Sequence, residues 1–526
     1  MNLNRLLAIA AFFLLINNAT AQHKTLTWEQ LAEDYQFPKW YTQARFGIWV
    51  HWGAQTQPEK GGGWYARHMY MQNVGTEAWG ADAYPYHLKT YGHPSEKGFK
   101  DVIHQWKADR LNTDELLRYF KSIGARYFVA LANHHDHFDN FASSYQPWNS
   151  VNVGPKKDLI GLFKKSAVKY GIPFGVSSHD DRFLDWWKTA FGADTVGAKK
   201  GVKYDGYMTK ADGKGKWWEG LDPADLYGLP PEKRTSEWIK SVKETYVKRL
   251  EELVSKYDVD MLWFDGYGFP YGDYGKEVCA YYFNKTLQQH GKVTALVAGK
   301  FNNEPSTVKD IERGGAKEIL PYPWQGTLTF GSWFYKTDKP IRHNSRTVIE
   351  SLTDMISKNG NLLLNVELLP DGTIPADHKL ILDTIGNWIN TNGEAIYASK
   401  PWKIYGDNLN GGLQKKNISE ADLEANKKHE SEDFNERTIS SPAYEHNEVR
   451  FTTKGNTLYV FVLNPVPGTI EIPSLASKAV KTIKTVKLLG SESKIVFQQT
   501  SDKTTLTIPA NPKLAYTQVY KIEGAL

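Results

Sequence analysis

The stretch YFVALANHHDHFDNF, residues 127–141, sets His134, His135, Asp136, His137 and Asp139 directly behind an apolar run. Such a set could ligate a metal ion or cradle the hydroxyls of a sugar. Zinc needs three or four convergent ligands, with histidine favoured. His134 and His135 are consecutive, so on extended backbone their side chains diverge. No HExxH spacing occurs, and the pattern predicts no metal site. Sugar cleavage asks for different parts: a carboxylate near the anomeric carbon, a proton donor near the leaving oxygen, and aromatic faces for the ring. His51 follows FGIWV, Asp265 follows VDMLWF beside Trp263 and Phe264, and Lys300 follows VTALVAG. Asp265 could also be an ordinary turn-forming Asp-Gly. The convergence of strand-end residues is what raises the catalytic reading.

Those residues need a frame that brings strand ends together. FGIWVHWG (46–53), ARYFVALAN (125–133), IPFGVSSH (172–179), VDMLWFDG (259–266), VTALVAG (293–299) and NLLLNVELL (361–369) are short apolar runs, as buried parallel strands are. Amphipathic stretches separate them. Thr113 opens a capping pattern, DLIGLFKKSAVKYG stops at glycine, and SRTVIESLTDMISKNG and ADHKLILDTIGNWINTNG are expected to stop at Asn-Gly. The repetition predicts a (β/α)8-like TIM barrel over 22–395, whose strand ends surround one pocket. Residues 180–235, rich in Trp, Gly, Lys and Asp, read as a long loop insertion shaping that pocket. Beyond 396 a polar stretch and then short alternating strands predict a C-terminal antiparallel β-sandwich to residue 526.

Composition narrows the classes. The chain has 526 residues, too many for one core, and its 41% hydrophobic and 23% charged content is that of a folded protein. Eighteen tryptophans lean weakly toward carbohydrate. Net charge is +5 without a dense basic block, so nucleic acid is not an expected partner. Residues 1–21, MNLNRLLAIAAFFLLINNATA, read as a secretory signal peptide, and no other stretch is long enough to span a bilayer. The lone Cys279 allows neither an intrachain disulfide nor a cysteine-zinc site. These features predict export, to a bacterial periplasm or outside the cell. Oligomeric state is not legible.

FGIWVHWG, LANHHDHFDNFAS, MLWFDG, GSWFY and SKNGNLLLNVELLPDGTIP, in that order across about 40–400, resemble the motifs of the α-L-fucosidases of glycoside hydrolase family 29. The resemblance implies a retaining exo-glycosidase that takes terminal α-L-fucosyl residues from oligosaccharides or polysaccharides without a cofactor. It implies Asp265 as nucleophile, and His51, His134, His135 and Trp263 as fucose-binding residues. Trp333 would pack near the fucose methyl, and Lys300 would stand where relatives often carry arginine. Trp64 and Tyr65 are kept from a Glu-Trp-Tyr motif whose acid is Gly63 here. The general acid is drawn from beyond the fifth strand: Glu312 in KDIERG is the first candidate, with Glu304 and Glu318 behind it. Gln325 stands at a Trp-Glu position of relatives. An amide has no acidic proton, so Gln325 can only hydrogen-bond a sugar hydroxyl. Relatives often carry tyrosine after the third strand, where this chain has Ser177-Ser178-His179. Gly63 and Gln325 keep two alternatives open: a related α-L-glycosidase acting on an L-galactoside or a sulfated fucan fragment, or a non-catalytic sugar-binding barrel.

Overall fold

The computed structural model describes residues 25–75, 78–301, 304–337, 341, 343–407, 444, 446–510 and 516–526. The signal-like segment 1–21 and the polar stretch 408–433 lie outside them. Eight parallel strands close into a barrel: β1 Phe46–Val50, β2 Phe128–Asn133, β3 Phe174–Ser178, β4 Met261–Tyr267, β5 Leu296–Lys300, β6 Val308–Glu312, β7 Trp324–Thr329 and β8 Gly360–Asn365. β1, β2, β3, β7 and β8 are buried at every residue, which is why most read as unbroken apolar runs. Alternate side chains divide the strands between two cores. Trp49, Val129, Met261, Trp263, Leu296 and Leu363 fill the barrel interior, while Ile48, Val50, Phe128 and Leu262 face the surrounding helices.

The flanking helices include α1 Thr113–Ser122, α2 Leu159–Tyr170, α3 Ser236–Tyr257, α4 Asp273–His290, α5 Ser345–Ser357 and α6 Ala376–Ile396. Two ends differ from the sequence pattern. Asn112, not Thr113, caps α1, its side chain accepting from the Glu115 amide. α6 runs straight through Asn392-Gly393, because Asn392 is buried and its amide donates back to the Trp388 carbonyl. α2 does stop at Gly171, where φ is 60°.

Among the described residues no helix separates β5 from β6 or β6 from β7. Those two strands escaped the strand-helix pattern for that reason. They also carry polar residues, VKDIE and WQGTLT.

Residues 180–235 are not a plain loop. Short helical turns stack them against the segment after β1. Tyr70 and Tyr227 each donate to buried Asp205 at 2.7 Å, and Lys100 Nζ lies 2.8 Å from the same carboxylate. Asp194 accepts from Tyr84 and Tyr204. A folded cap thus stands beside the barrel mouth.

The C-terminal domain has two antiparallel sheets around one apolar core. Their strands are β9 Lys400–Asp407, β10 Glu448–Lys454, β11 Thr457–Leu463, β12 Gly468–Ile472, β13 Thr485–Leu488, β14 Phe497–Gln499, β15 Thr504–Ile508 and β16 Gln518–Glu523. The larger sheet orders β13-β16-β11-β10-β9, and the smaller β12-β15-β14. β9 is a half-exposed edge strand without clean alternation, and the sequence pattern did not show it. Arg450 on β10 reaches Asp354 of α5 at 2.7 Å and ties this domain to the barrel.

Candidate active site

At the C-terminal ends of the strands, Trp49, His51, Trp64, His134, His135, His179, Arg182, Trp263, Asp265, Lys300, Glu312 and Trp333 surround a cavity of about 130 Å³. The strand-end residues named from sequence therefore meet. Glu312 is the last residue of β6, and Arg313 turns the chain away at φ 52°. Asp265 lies within β4, and Gly266 after it takes φ 83°. A Cβ on Gly266 would stand 2.4 Å from Asp181 Oδ2, so the glycine is what lets Asp181 approach.

Lys300 holds the centre. Its ammonium lies 2.9 Å from Asp265 Oδ1 and 2.7 Å from Glu312 Oε2. Burial alone would raise the Asp265 carboxyl. The Lys300 charge, with its hydrogen bond, outweighs it and holds Asp265 well below the usual carboxylate range. Burial likewise opposes charge on Lys300, and Asp265 and then Glu312 lift it nonetheless.

Four imidazoles line the cavity, and burial keeps them neutral. His51 is pushed down to about 3 and His135 to about 4, while His134 and His179 lie well below the usual imidazole range. Their hydrogen bonds fix the tautomers. Asn365 Nδ2 donates to the Trp333 carbonyl, so its Oδ1 accepts from the backbone N–H and Nδ1–H of His51. His51 Nε2 must then accept, and the donor is His179 Nε2–H at 3.0 Å. Gln55 donates to His134 Nδ1, leaving His134 Nε2–H as a donor toward the cavity. His135 Nδ1 donates to the His179 carbonyl, and its Nε2 faces Asp265 Oδ2 at 3.5 Å. Both ring nitrogens of His51 are thus committed within the protein.

The aromatic walls are Trp49, Trp64, Trp263 and Trp333. Trp49 donates to Ser177 at 3.1 Å and Trp263 to Asp310 at 3.0 Å. Gln325 lies outside the lining, a correction to its expected place among the sugar-contacting residues. It sits in the barrel interior beneath Trp263, donating to Asp310 at 2.6 Å and accepting from Tyr127 at 3.0 Å. Tyr65 is also outside the cavity, buried with its hydroxyl 2.8 Å from His87 Nδ1. Glu318 is exposed, and Glu304 accepts from Trp28, so neither joins the cavity.

His137 and Asp139 shape the loop behind the histidine pair. His135 and His137 do stand in His-x-His spacing, but His137 turns away to Asp180 at 2.8 Å. Arg249 of α3 binds both Asp139 and Asp180 in a fully buried cluster. The cluster locks the β2 and β3 loops together.

Arg182 and Trp49 were not named from sequence, and His179 only as a departure from relatives after the third strand. His179 ends the β3 run as His51 ends β1, so the strand-end signal was there. Arg182 lies in the cap and gave none.

A closed parallel barrel with two carboxylates sharing one lysine, walled by tryptophan at its C-terminal rim, has the parts of a glycoside hydrolase. The comparisons place it within that class. The family model described as Alpha-L-fucosidase matches residues 12–394, and that described as Alpha-L-fucosidase C-terminal domain matches 444–522. The chain belongs to the α-L-fucosidase family and is a glycoside hydrolase of that type. It is 27% identical to the tissue alpha-L-fucosidase of Rattus norvegicus over 416 residues, covering 76% of this chain and 79% of the rat protein. It is 25% identical to the human plasma alpha-L-fucosidase over 397 residues, covering 73% and 74%. The crystal structure of Thermotoga maritima alpha-fucosidase in complex with a mechanism-based inhibitor superposes with a TM-score of 0.67 at 26% identity, covering 94% of this chain and 98% of that one.

Proposed function

We propose that the protein is an exported, retaining exo-α-L-fucosidase acting on fucosylated glycans, with Asp265 as nucleophile and Glu312 as acid/base. The observation that carries this reading is Lys300, whose one ammonium touches both carboxylates. Two oxygens within 3 Å of one nitrogen are at most about 6 Å apart, which fits the about 5–5.5 Å of retaining pairs better than the about 6.5–9.5 Å of inverting ones.

Asp265, ionised beside Lys300, attacks the anomeric carbon while Glu312 gives its proton to the leaving oxygen. The bond to the aglycone breaks as the glycosyl ester forms. Glu312 then takes a proton from water, which attacks the same carbon and frees Asp265. His134 offers a donor and His135 an acceptor to sugar hydroxyls, and Trp263 and Trp333 supply apolar faces. His51 acts through His179 and Asn365 by fixing the wall beside them. A cavity of about 130 Å³ suits one terminal ring rather than a chain, in keeping with exo action. Export rests on residues 1–21, and no helix among the described residues is long and apolar enough to cross a membrane.

The test is hydrolysis of an aryl α-L-fucoside by wild type, Asp265→Ala and Glu312→Ala. Asp265→Ala should lose activity and regain it with azide, giving the β-linked fucosyl azide. Glu312→Ala should lose far more on a natural glycan than on the aryl substrate. Full activity of Asp265→Ala without azide would sink the assignment.

A further inference from the structure

Arg182 lines the cavity but is not used by the mechanism above. Its guanidinium lies 5.8 Å from the Trp64 ring centroid. Trp64 is itself held by Trp79 and Trp186. Among the described residues no carboxylate lies within 4.0 Å of Arg182 and no hydrogen bond reaches it. Neighbouring arginines differ. Arg67 donates to the carbonyls of Asp185 and Trp186, and Arg234 to those of Leu184 and Leu229, so both tie down the cap.

A guanidinium has five N–H donors in a planar fork matched to carboxylate, phosphate or sulfate. Contact with a tryptophan face orients that fork without consuming a single donor. A bare fork at a sugar cavity is therefore pre-positioned for an anion arriving with the substrate. The other cavity cation, Lys300, is already committed to Asp265 and Glu312. Asp181, next along the chain, feels the Arg182 charge, but its carboxylate packs against Gly266 and makes no ion pair within 4.0 Å of the guanidinium. The chain's net charge of +5 adds a weak long-range pull on acidic glycans.

We propose that Arg182 is a specificity-determining residue that binds an anionic substituent, a sulfate ester or carboxylate, carried by the fucosyl ring or by the sugar next to it. The inference rests on the fucosidase reading and narrows its substrates to acidic fucosides.

The experiment compares kcat/KM of wild type, Arg182→Met and Arg182→Lys on four substrates. They are neutral 4-nitrophenyl α-L-fucoside, its ring-sulfated forms, a fucosyl disaccharide with a sulfated neighbour, and one with a uronate neighbour. Wild type should favour one anionic substrate over its neutral counterpart by about tenfold or more at low salt. The preference should shrink as ionic strength rises. Arg182→Met should abolish the preference, and Arg182→Lys should retain part of it. Which anionic substrate responds identifies the source of the charge. Equal losses on neutral and anionic substrates in Arg182→Met, or no anionic preference in wild type, would overturn the assignment. Should Arg182→Met not fold, wild-type inhibition decides: free fucose sulfates or uronates that inhibit no better than their neutral sugars overturn it. Absence of cleavage on every fucoside would instead fail the fucosidase reading itself.

Discussion

Nε2 of His51 and Nε2 of His179 lie 3.0 Å apart, with His179 as donor and His51 as acceptor. The pair works only if His51 carries its proton on Nδ1, and Asn365 enforces that tautomer. His179→Phe leaves His51 Nε2 without its donor, and kcat/KM on an aryl α-L-fucoside should fall at least tenfold, chiefly through KM. Acid stability gives a second readout. His179 stays neutral in the fold through burial, whereas the unfolded chain takes up a proton near pH 6.5. Folding therefore loses stability as pH falls below that value, by at most about 1.4 kcal/mol per pH unit. His179→Phe removes this loss, so the drop in urea midpoint from pH 7.5 to 5.0 should be smaller than in wild type.

Lys300 keeps Asp265 ionised against burial. Lys300→Met should raise the Asp265 pKa, so that the carboxylate protonates at higher pH. The acid limb of the kcat/KM profile should move toward neutrality, with kcat/KM at pH 7 lower by about 100-fold or more. Lys300→Arg should keep the limb near its wild-type position. An unmoved limb in Lys300→Met would show that Asp265 does not depend on this charge.

Asp310 and Gln325 form a buried shelf under Trp263. Burial already lifts Asp310 to about 6. Gln325→Glu places a second carboxyl 2.6 Å away, which must stay protonated or repel its neighbour. It should cost about 1–3 kcal/mol in chemical denaturation without adding a general acid. Rescue of Glu312→Ala by Gln325→Glu would contradict this.

Arg249 satisfies Asp139 and Asp180 with no access to water. Arg249→Met takes the cation from two buried carboxylates, which keep only His137 and Asn133 as partners, and should cost about 3–5 kcal/mol. Because the cluster carries the loops bearing His134, His135 and His179, activity should fall with stability. Denaturant midpoint and kcat/KM, measured together, check this.

The barrel was legible in the strands flanked by helices, since IPFGVSSH or VDMLWFDG must be buried on both faces. β6 and β7 were not, because among the described residues no helix leads into either and their inward residues, Asp310 and Gln325, are polar. The site followed the same rule. Residues that end an apolar run, such as His51 and Asp265, could be picked out. Gln325 was misplaced because position within a strand, near its start rather than its end, decides whether a side chain meets the cavity or the barrel interior. Arg182 comes from a folded cap whose packing depends on buried pairs such as Lys100–Asp205, more than a hundred positions apart in sequence. Local pattern carries no trace of such a pairing.

If Asp265 and Glu312 work by the double displacement proposed above, the shared ammonium of Lys300 has an electrical consequence. When Asp265 spends its charge on the new bond, Glu312 acquires one by giving up its proton. When water releases the sugar, the charge passes back. Both transfers take place beside Lys300, first on one side and then on the other. Negative charge thus crosses between two groups held by the same cation, and the net charge of the site is the same before and after each step.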